Sequence, residues 1–164
     1  SSDLNFPYHG ATGVMYHVND YLVDGIYLLI GEDGSVTDDK GFAVTQYVWG
    51  KFWVNNHAHV LQGKAPVRTE HAFLHFCFEP VSPFVTGAVQ PKLSQGRMKT
   101  IPFLYPGSSV CTAFGQLLSP WFEKIRACSM ESKTLAALRD TLLPKLLSGE
   151  LRIQDAEQFL NRNL

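Results

Sequence analysis

Apolar residues in the first 105 positions fall in short runs separated by glycine-bearing turns, whereas those of the last third recur at three- and four-residue steps. The first rhythm predicts strands and the second a long helix. Tyr27-Leu28-Leu29-Ile30 is uninterrupted and stops at Gly31-Glu32-Asp33-Gly34, the pattern of a buried strand running into a tight turn. Phe42 to Trp49 is strand-like, Gly50-Lys51 predicts a hairpin turn, and Phe52-Trp53-Val54 the returning strand. Asn55-Asn56 predicts another turn, since asparagine tolerates the left-handed region, and His57 to Leu61 then continues the sheet. Thr69-Glu70 predicts the cap of a short helix through Phe78, ended by Pro80 and Pro83. Ile101 to Tyr105 reads as a last edge strand, confined to the margin by Pro102.

In the last third, Phe114, Leu118, Trp121, Ile125, Cys128, Leu135, Leu138 and Leu142 form a heptad-like seam, interrupted at Ser132. Ser119-Pro120 predicts a cap and first helical position, Pro144 the end, and Ser148-Gly149 a turn. A helix from 120 to 143 would be roughly 36 Å long. It is too long and too one-sided to be only a lid on a small sheet, so it calls for a helical partner.

Composition narrows the functional classes. With 45% hydrophobic and 18% charged residues, the chain is not of the disordered type, and 164 residues suffice for one domain with a core plus an appendage. Fourteen Lys and Arg against fifteen Asp and Glu give a net charge of −1, which excludes a protein that is basic throughout. One basic face on a neutral protein would still serve a nucleic acid. Residues 41–110 alone could present it, with six basic side chains (Lys51, Lys64, Arg68, Lys92, Arg97, Lys99) against Glu70 and Glu79. Residues 1–40 carry seven acidic side chains and only Lys40, and residues 111–164 are nearly balanced. The three cysteines, Cys77, Cys111 and Cys128, form no CxxC pair, which fits a reducing compartment. No apolar run approaches the ~20 residues of a membrane span, and Ser1-Ser2-Asp3-Leu4-Asn5 lacks the start of a signal peptide. An intracellular chain is expected.

Candidate chemistry is sparse. His57-x-His59 and His71-x3-His75 have metal-ligand spacings, but no motif supplies a third ligand, so they are read as packed or surface polar groups. Cys77 and Cys111 lack a reactive context, there is no GxSxG elbow, and Gly10-Ala11-Thr12-Gly13 matches no phosphate cradle. Glu32 and Asp33 between glycines are explained as turn formers. No metal, cofactor or catalytic role is expected. The most suggestive stretch is Gly87 to Lys99, which gathers Gln90, Lys92, Gln95, Arg97 and Lys99, the side-chain types that contact phosphates and base edges. Ser94 could cap a helical turn there. Spacing alone supports equally a contact surface and a solvated loop that orients the last strand.

Four blocks, in order, carry a resemblance. Phe6-Pro7-Tyr8-His9-Gly10-Ala11-Thr12-Gly13 with Asp24 to Gly34, Gly50 to Leu61, Gly87 to Leu93 followed by Ile101-Pro102, and Leu135 to Glu150 resemble the target recognition domain and C-terminal helix of type I restriction–modification specificity subunits. The resemblance implies an α+β fold, a mixed twisted sheet with short helices followed by a long coiled-coil-type helix. It divides the chain into a DNA target recognition domain at 1–110 and a helical spacer and dimerisation segment at 111–164.

It implies a non-catalytic module that reads one half of a split target in double-stranded DNA. Methylation and cleavage would belong to separate methyltransferase and restriction subunits, in a prokaryotic cytoplasm. A full subunit of this kind has two recognition domains and two long helices, packed as a coiled coil that sets the spacer. One of each here implies a half-subunit that pairs, or a fragment. Trp121, Ile125, Leu135, Leu138 and Leu142 would then be the surface for a second copy or another specificity chain. Phosphate contacts are expected from Lys51, Lys64, Arg68, Lys92, Arg97 and Lys99, and base-edge contacts from Gln90 and Gln95. Base specificity is expected from variable loops such as Ser35 to Lys40 and Gln62 to Arg68, while Asn55, Asn56 and His57 are read as turn formers. The alternative is an interaction module that pairs with a full specificity subunit or a methyltransferase and contacts DNA only weakly.

Overall fold

The computed structural model describes residues 5–152. Asp3 and the part of the helical segment beyond 152 lie outside the described residues. The chain divides into two compact units, Ser1–Ser119 and Pro120–Leu164.

The first unit is built on a five-stranded sheet: β1 (Phe6–His9), β2 (Val14–Val18), β3 (Val23–Gly31), β4 (Thr45–Val54) and β5 (Ala58–Leu61). The spatial order is β2-β1-β4-β3-β5. All neighbours are antiparallel except β1 and β4, so the sheet is mixed and the fold is α+β. The Tyr27–Ile30 run lies on β3, which has β4 on one side and β5 on the other. Successive side chains of a strand face opposite ways. Leu28 and Ile30 therefore enter a core with Val36, Phe76, Val81, Leu93 and Ile101, while Leu29 joins Val48, Phe52, Val54 and Ala58 on the other face. Burial on both faces explains why this strand reads as an unbroken apolar run.

Two strand expectations are corrected. Gly50-Lys51 is not a hairpin turn: β4 runs through it, and Gly50 pairs with Gly25 of β3. Both glycines have positive φ, 81° and 140°, a conformation that side-chain-bearing residues avoid, so the pair bends two adjacent strands without ending either. Ile101 to Tyr105 is not a strand. Ile101 is buried in the core, and the residues after it lie against α1 (Thr69–Phe78), where His75 Nε2 donates to the Pro102 carbonyl at 2.9 Å and the Phe103 ring meets His75 and His71. One side chain of the helix, His75, therefore takes up the Pro102 carbonyl that an edge strand would have offered to the sheet.

Helix α1 has the expected span, but Arg68 is its N-cap and Thr69 its first residue. The Thr69 hydroxyl instead closes the preceding loop, accepting from the Gly63 N–H at 3.0 Å and donating to the Ile26 carbonyl at 3.4 Å. A short 3-10 turn, Ser82–Phe84, and helix α2 (Gln95–Met98) follow.

Helix α3 runs from Ser108 to Leu147, about 60 Å at 1.5 Å per residue, rather than from 120 to 143. Pro120 does not restart it and Pro144 does not end it. Each proline lacks the N–H that would bond four residues back, to Gln116 and Asp140, but both of those residues are exposed and water can satisfy their carbonyls. The early turns are seated by packing: Cys111 and Gly115 are buried, and Phe114 meets the His71 ring edge-on. Ser148 and Gly149 form the expected turn, and the Leu151 N–H returns to the Lys145 carbonyl. In the second unit the seam residues Trp121, Ile125 and Leu135 are exposed, at 68%, 50% and 58%, while Leu138 and Leu142 are half-buried. Among the described residues, no helix is long and apolar enough to cross a membrane.

Candidate nucleic-acid interface

The Gly87–Lys99 segment is fastened to the fold by its apolar residues. Leu93 is fully buried, and Met98 packs on the core that Leu93 and Ile101 share. The polar and cationic residues between them, Gln90, Lys92, Gln95, Arg97 and Lys99, are all exposed. Backbone pairing holds the base of the segment: Thr86 and Lys92 exchange both hydrogen bonds, at 2.9 and 2.7 Å, and the Leu93 N–H donates to the Glu32 carbonyl at 2.8 Å. Ser94 caps α2 as expected, its hydroxyl accepting from the Arg97 N–H at 3.4 Å.

A cluster of side chains from the ends of β3 and β5 supports this arrangement. His59 is buried, and its Nε2 donates to the Leu93 carbonyl at 2.6 Å. Its Nδ1 lies 3.8 Å from Glu32, whose other carboxylate oxygen is 3.3 Å from the Lys92 ammonium. His57 Nδ1 donates to Asp33 at 2.8 Å, and its backbone N–H donates to the Asn55 side chain at 2.9 Å. Glu32 and Asp33 are thus partners of two histidines and a lysine as well as turn residues. His57 lies in the turn before β5, not on one strand face with His59. Among the described residues, no three His, Cys, Asp or Glu side chains are grouped as a metal site.

The six cations fall into two groups. Arg97 and Lys99 are exposed on and just after α2, and Lys92 is shared with Glu32. Lys51, Lys64 and Arg68 belong to the other end of β3. Lys51 is the cross-strand partner of Asp24 and sits 4.6 Å above the Tyr21 ring. Gln62, at the start of the loop carrying Lys64 and Arg68, reaches the Ile26 carbonyl. From Ile26 to Glu32, the six intervening steps of strand separate the groups by about 20 Å.

Arg68 leans on the fold while its side chain stays 45% exposed. Its Nε is 3.5 Å from Glu70, a carboxylate buried in the first turn of α1 that also accepts from the Tyr47 hydroxyl at 2.8 Å. Its aliphatic stem lies against Gly115, where an added Cβ would stand 2.8 Å from Arg68 Cδ. The Gln62–Arg68 loop borders an open groove of about 470 Å³, lined by Gly25, Ile26, Gln62, Gly63, Pro66 and Glu70 among others. The Ser35–Lys40 loop is a compact turn in which Asp38 accepts the Lys40 and Phe42 N–H groups, both at 2.9 Å.

Sequence reasoning missed His59 and Glu32 as the supports of the 87–99 segment. No local signal identifies them, because the His59–Leu93 contact joins residues 34 apart in the chain.

No family model matches the chain. A Haemophilus influenzae protein named as a type I restriction enzyme specificity subunit is 33% identical over 114 residues, 70% of this chain and 29% of that protein. The type I restriction enzyme MjaIX specificity subunit of Methanocaldococcus jannaschii is 29% identical over 109 residues, 64% of this chain and 25% of that protein. The matched segment thus spans little more than a quarter of either relative's length. Over about two thirds of its own length, the chain is homologous to the specificity subunits of type I restriction enzymes.

Proposed function

We propose that this chain is a DNA-reading module of a type I restriction system: a recognition domain at 1–110 with a helical spacer at 111–164, reading one half of a split target in double-stranded DNA. The observation that carries the reading is the outward display of Gln90, Lys92, Gln95, Arg97 and Lys99 on a segment anchored by Leu93, Met98 and Ile101. A rigid base with cationic and amide side chains outside suits contact with phosphates and base edges. Of the two cation groups, the one around Arg97 is favoured, since Arg97 has no described acidic partner, whereas the Arg68 Nε has Glu70 at 3.5 Å.

The module itself is non-catalytic and needs no cofactor. It directs methyltransferase and restriction subunits in a prokaryotic cytoplasm. The exposed seam of Trp121, Ile125 and Leu135, continued by Leu138 and Leu142, pairs with a second copy or another specificity chain. The same seam favours the second reading, an interaction module that joins such a complex and contacts DNA weakly.

Selection from randomised duplexes over a salt series, with and without a methyltransferase subunit, tests the proposal. Enrichment of a short half-site, or of a symmetric pair at fixed spacing, with affinity falling steeply as salt rises, is expected. Uniform or absent binding in both conditions would overturn it and leave the interaction module.

A further inference from the structure

Val89 is 99% exposed, the most exposed of the large apolar side chains among the described residues. It stands at the tip of a tight loop held at its base. The paired backbones of Thr86 and Lys92 close the loop, the Gly34 N–H donates to the Pro91 carbonyl at 3.0 Å, and Lys92 also bridges to Asp33. Inside the loop, Gly87 has φ +95°, and a Cβ there would collide with the Gln90 carbonyl, so the turn is too tight for any other residue. A preorganised loop does not lose conformational freedom when its tip meets a partner. The fold therefore presents one branched apolar side chain to solvent on a stiff support, beside the exposed amide of Gln90.

The surroundings indicate which partner. Residues 87–99 contain Lys92, Arg97 and Lys99 and no acidic residue. Glu32 takes part of the Lys92 charge, while Arg97 and Lys99 stay exposed without a described acidic partner, so the segment favours an anionic partner over a neutral or basic one. A valine has no hydrogen-bonding group, so at a base edge it discriminates only through apolar contact. The one apolar group on the major-groove edge of DNA is the thymine 5-methyl, and glutamine pairs there with the N6 and N7 of adenine. On the DNA-reading function proposed above, we infer that Val89 is a specificity-determining residue that packs on a thymine methyl in the major groove, next to an adenine read by Gln90.

The test uses the full chain and the duplex it selects from a randomised pool, with each thymine in turn replaced by deoxyuridine, which lacks only the methyl. At one thymine the replacement should weaken wild-type binding about three- to fivefold, the value of one buried methyl group. Val89→Ala should bind the thymine duplex as weakly as wild type binds the uracil duplex, and should be indifferent to the replacement. Because Val89 is exposed, the variant's thermal unfolding should match wild type.

If wild type selects a half-site but no single thymine is sensitive, or if Val89→Ala keeps the same sensitivity, this inference is overturned while the DNA-reading function stands. If Val89→Ala leaves DNA preference intact but loses assembly with the methyltransferase subunit, the tip is a protein contact and the inference is likewise overturned. If wild type enriches no duplex at all, the DNA-reading function itself fails.

Discussion

The buried imidazole of His59 donates to the backbone carbonyl of Leu93 at 2.6 Å, and this bond ties β5 to the segment that displays Lys92 and Arg97. The carbonyl sits beside a fully buried side chain, where water is a poor substitute. Replacing His59 with Leu would leave that acceptor unpaired, at a cost of about 1–3 kcal/mol. Urea unfolding of His59→Leu should show a lower midpoint with an unchanged slope, and amide exchange should quicken in residues 92–98 before it does in β3.

Backbone proximity sets a second expectation. A Cβ on Gly63 would run into the carbonyl carbon of Arg68 and the amide nitrogen of Thr69, where α1 begins. Neither atom can move without displacing the helix. Gly63→Ala should cost at least about 1–3 kcal/mol. Gly96 in α2 has open space around its Cβ direction, so Gly96→Ala should be neutral or gain up to about 1 kcal/mol. Thermal unfolding of the two variants side by side distinguishes steric collision from a general intolerance of alanine.

Acid should weaken the first unit through His71. Its Nδ1 is buried without a hydrogen-bond partner, its ring packs between Phe103 and Phe114, and burial followed by the nearby His75 holds its pKa below the usual 6.5. Below about 6.5 the unfolded chain takes up this proton more readily than the folded one. The stabilisation is therefore complete above 6.5 and is lost as pH falls through the folded value. Unfolding free energies measured between pH 5 and 8 should fall on the acid side for wild type and fall less steeply for His71→Phe.

Arg97 gives the cleanest test of phosphate contact. No described acidic side chain pairs with it, whereas removing Lys92 would also disturb Glu32 and His59. Arg97→Ala should weaken binding to all duplexes by a similar factor and reduce the slope of log affinity against log salt by about 1. Unchanged affinity and slope would make the basic segment purely structural.

The helical seam makes its own prediction. Ile125 is half exposed on α3, one turn from Trp121. If this surface buries itself against another helix, Ile125→Lys places a charge in an apolar contact and should shift the chain to a single-chain species in sedimentation velocity. A wild-type chain that sediments as a single-chain species across the accessible concentrations would remove the self-pairing expectation.

Several elements were legible because their causes are local. The unbroken Tyr27–Ile30 run, the Asn55-Asn56 turn closed by its own side chain, the Thr69–Phe78 span and the Ser94 cap all follow from residues within a few positions of one another. The Gly50 reading failed for the opposite reason. Glycine before lysine between two apolar runs is the local pattern of a hairpin, and only Gly25, 25 residues earlier, makes it the bend of a continuous strand. The helix start was misplaced because Ser119-Pro120 looks like a cap, while packing of Cys111, Phe114 and Gly115 begins the helix three turns sooner.

For the candidate interface the division is similar. Sequence by itself determined that residues 41–110 hold the excess of cations and that Gly87–Lys99 gathers amides and cations without an acid, because charge and composition are carried by the residues themselves. Tertiary structure alone decided which cations are available. All three of Arg68, Lys92 and Arg97 are exposed, but folding sets Arg68 against Gly115, divides Lys92 with Glu32, and leaves Arg97 on α2 without a described acidic partner. Arg68 and Glu70 are only two positions apart, but the Lys92–Glu32 and Arg68–Gly115 contacts join residues brought together by strand order and helix packing. A charge's availability depends on the neighbours that desolvate or neutralise it, and the linear chain does not contain that information.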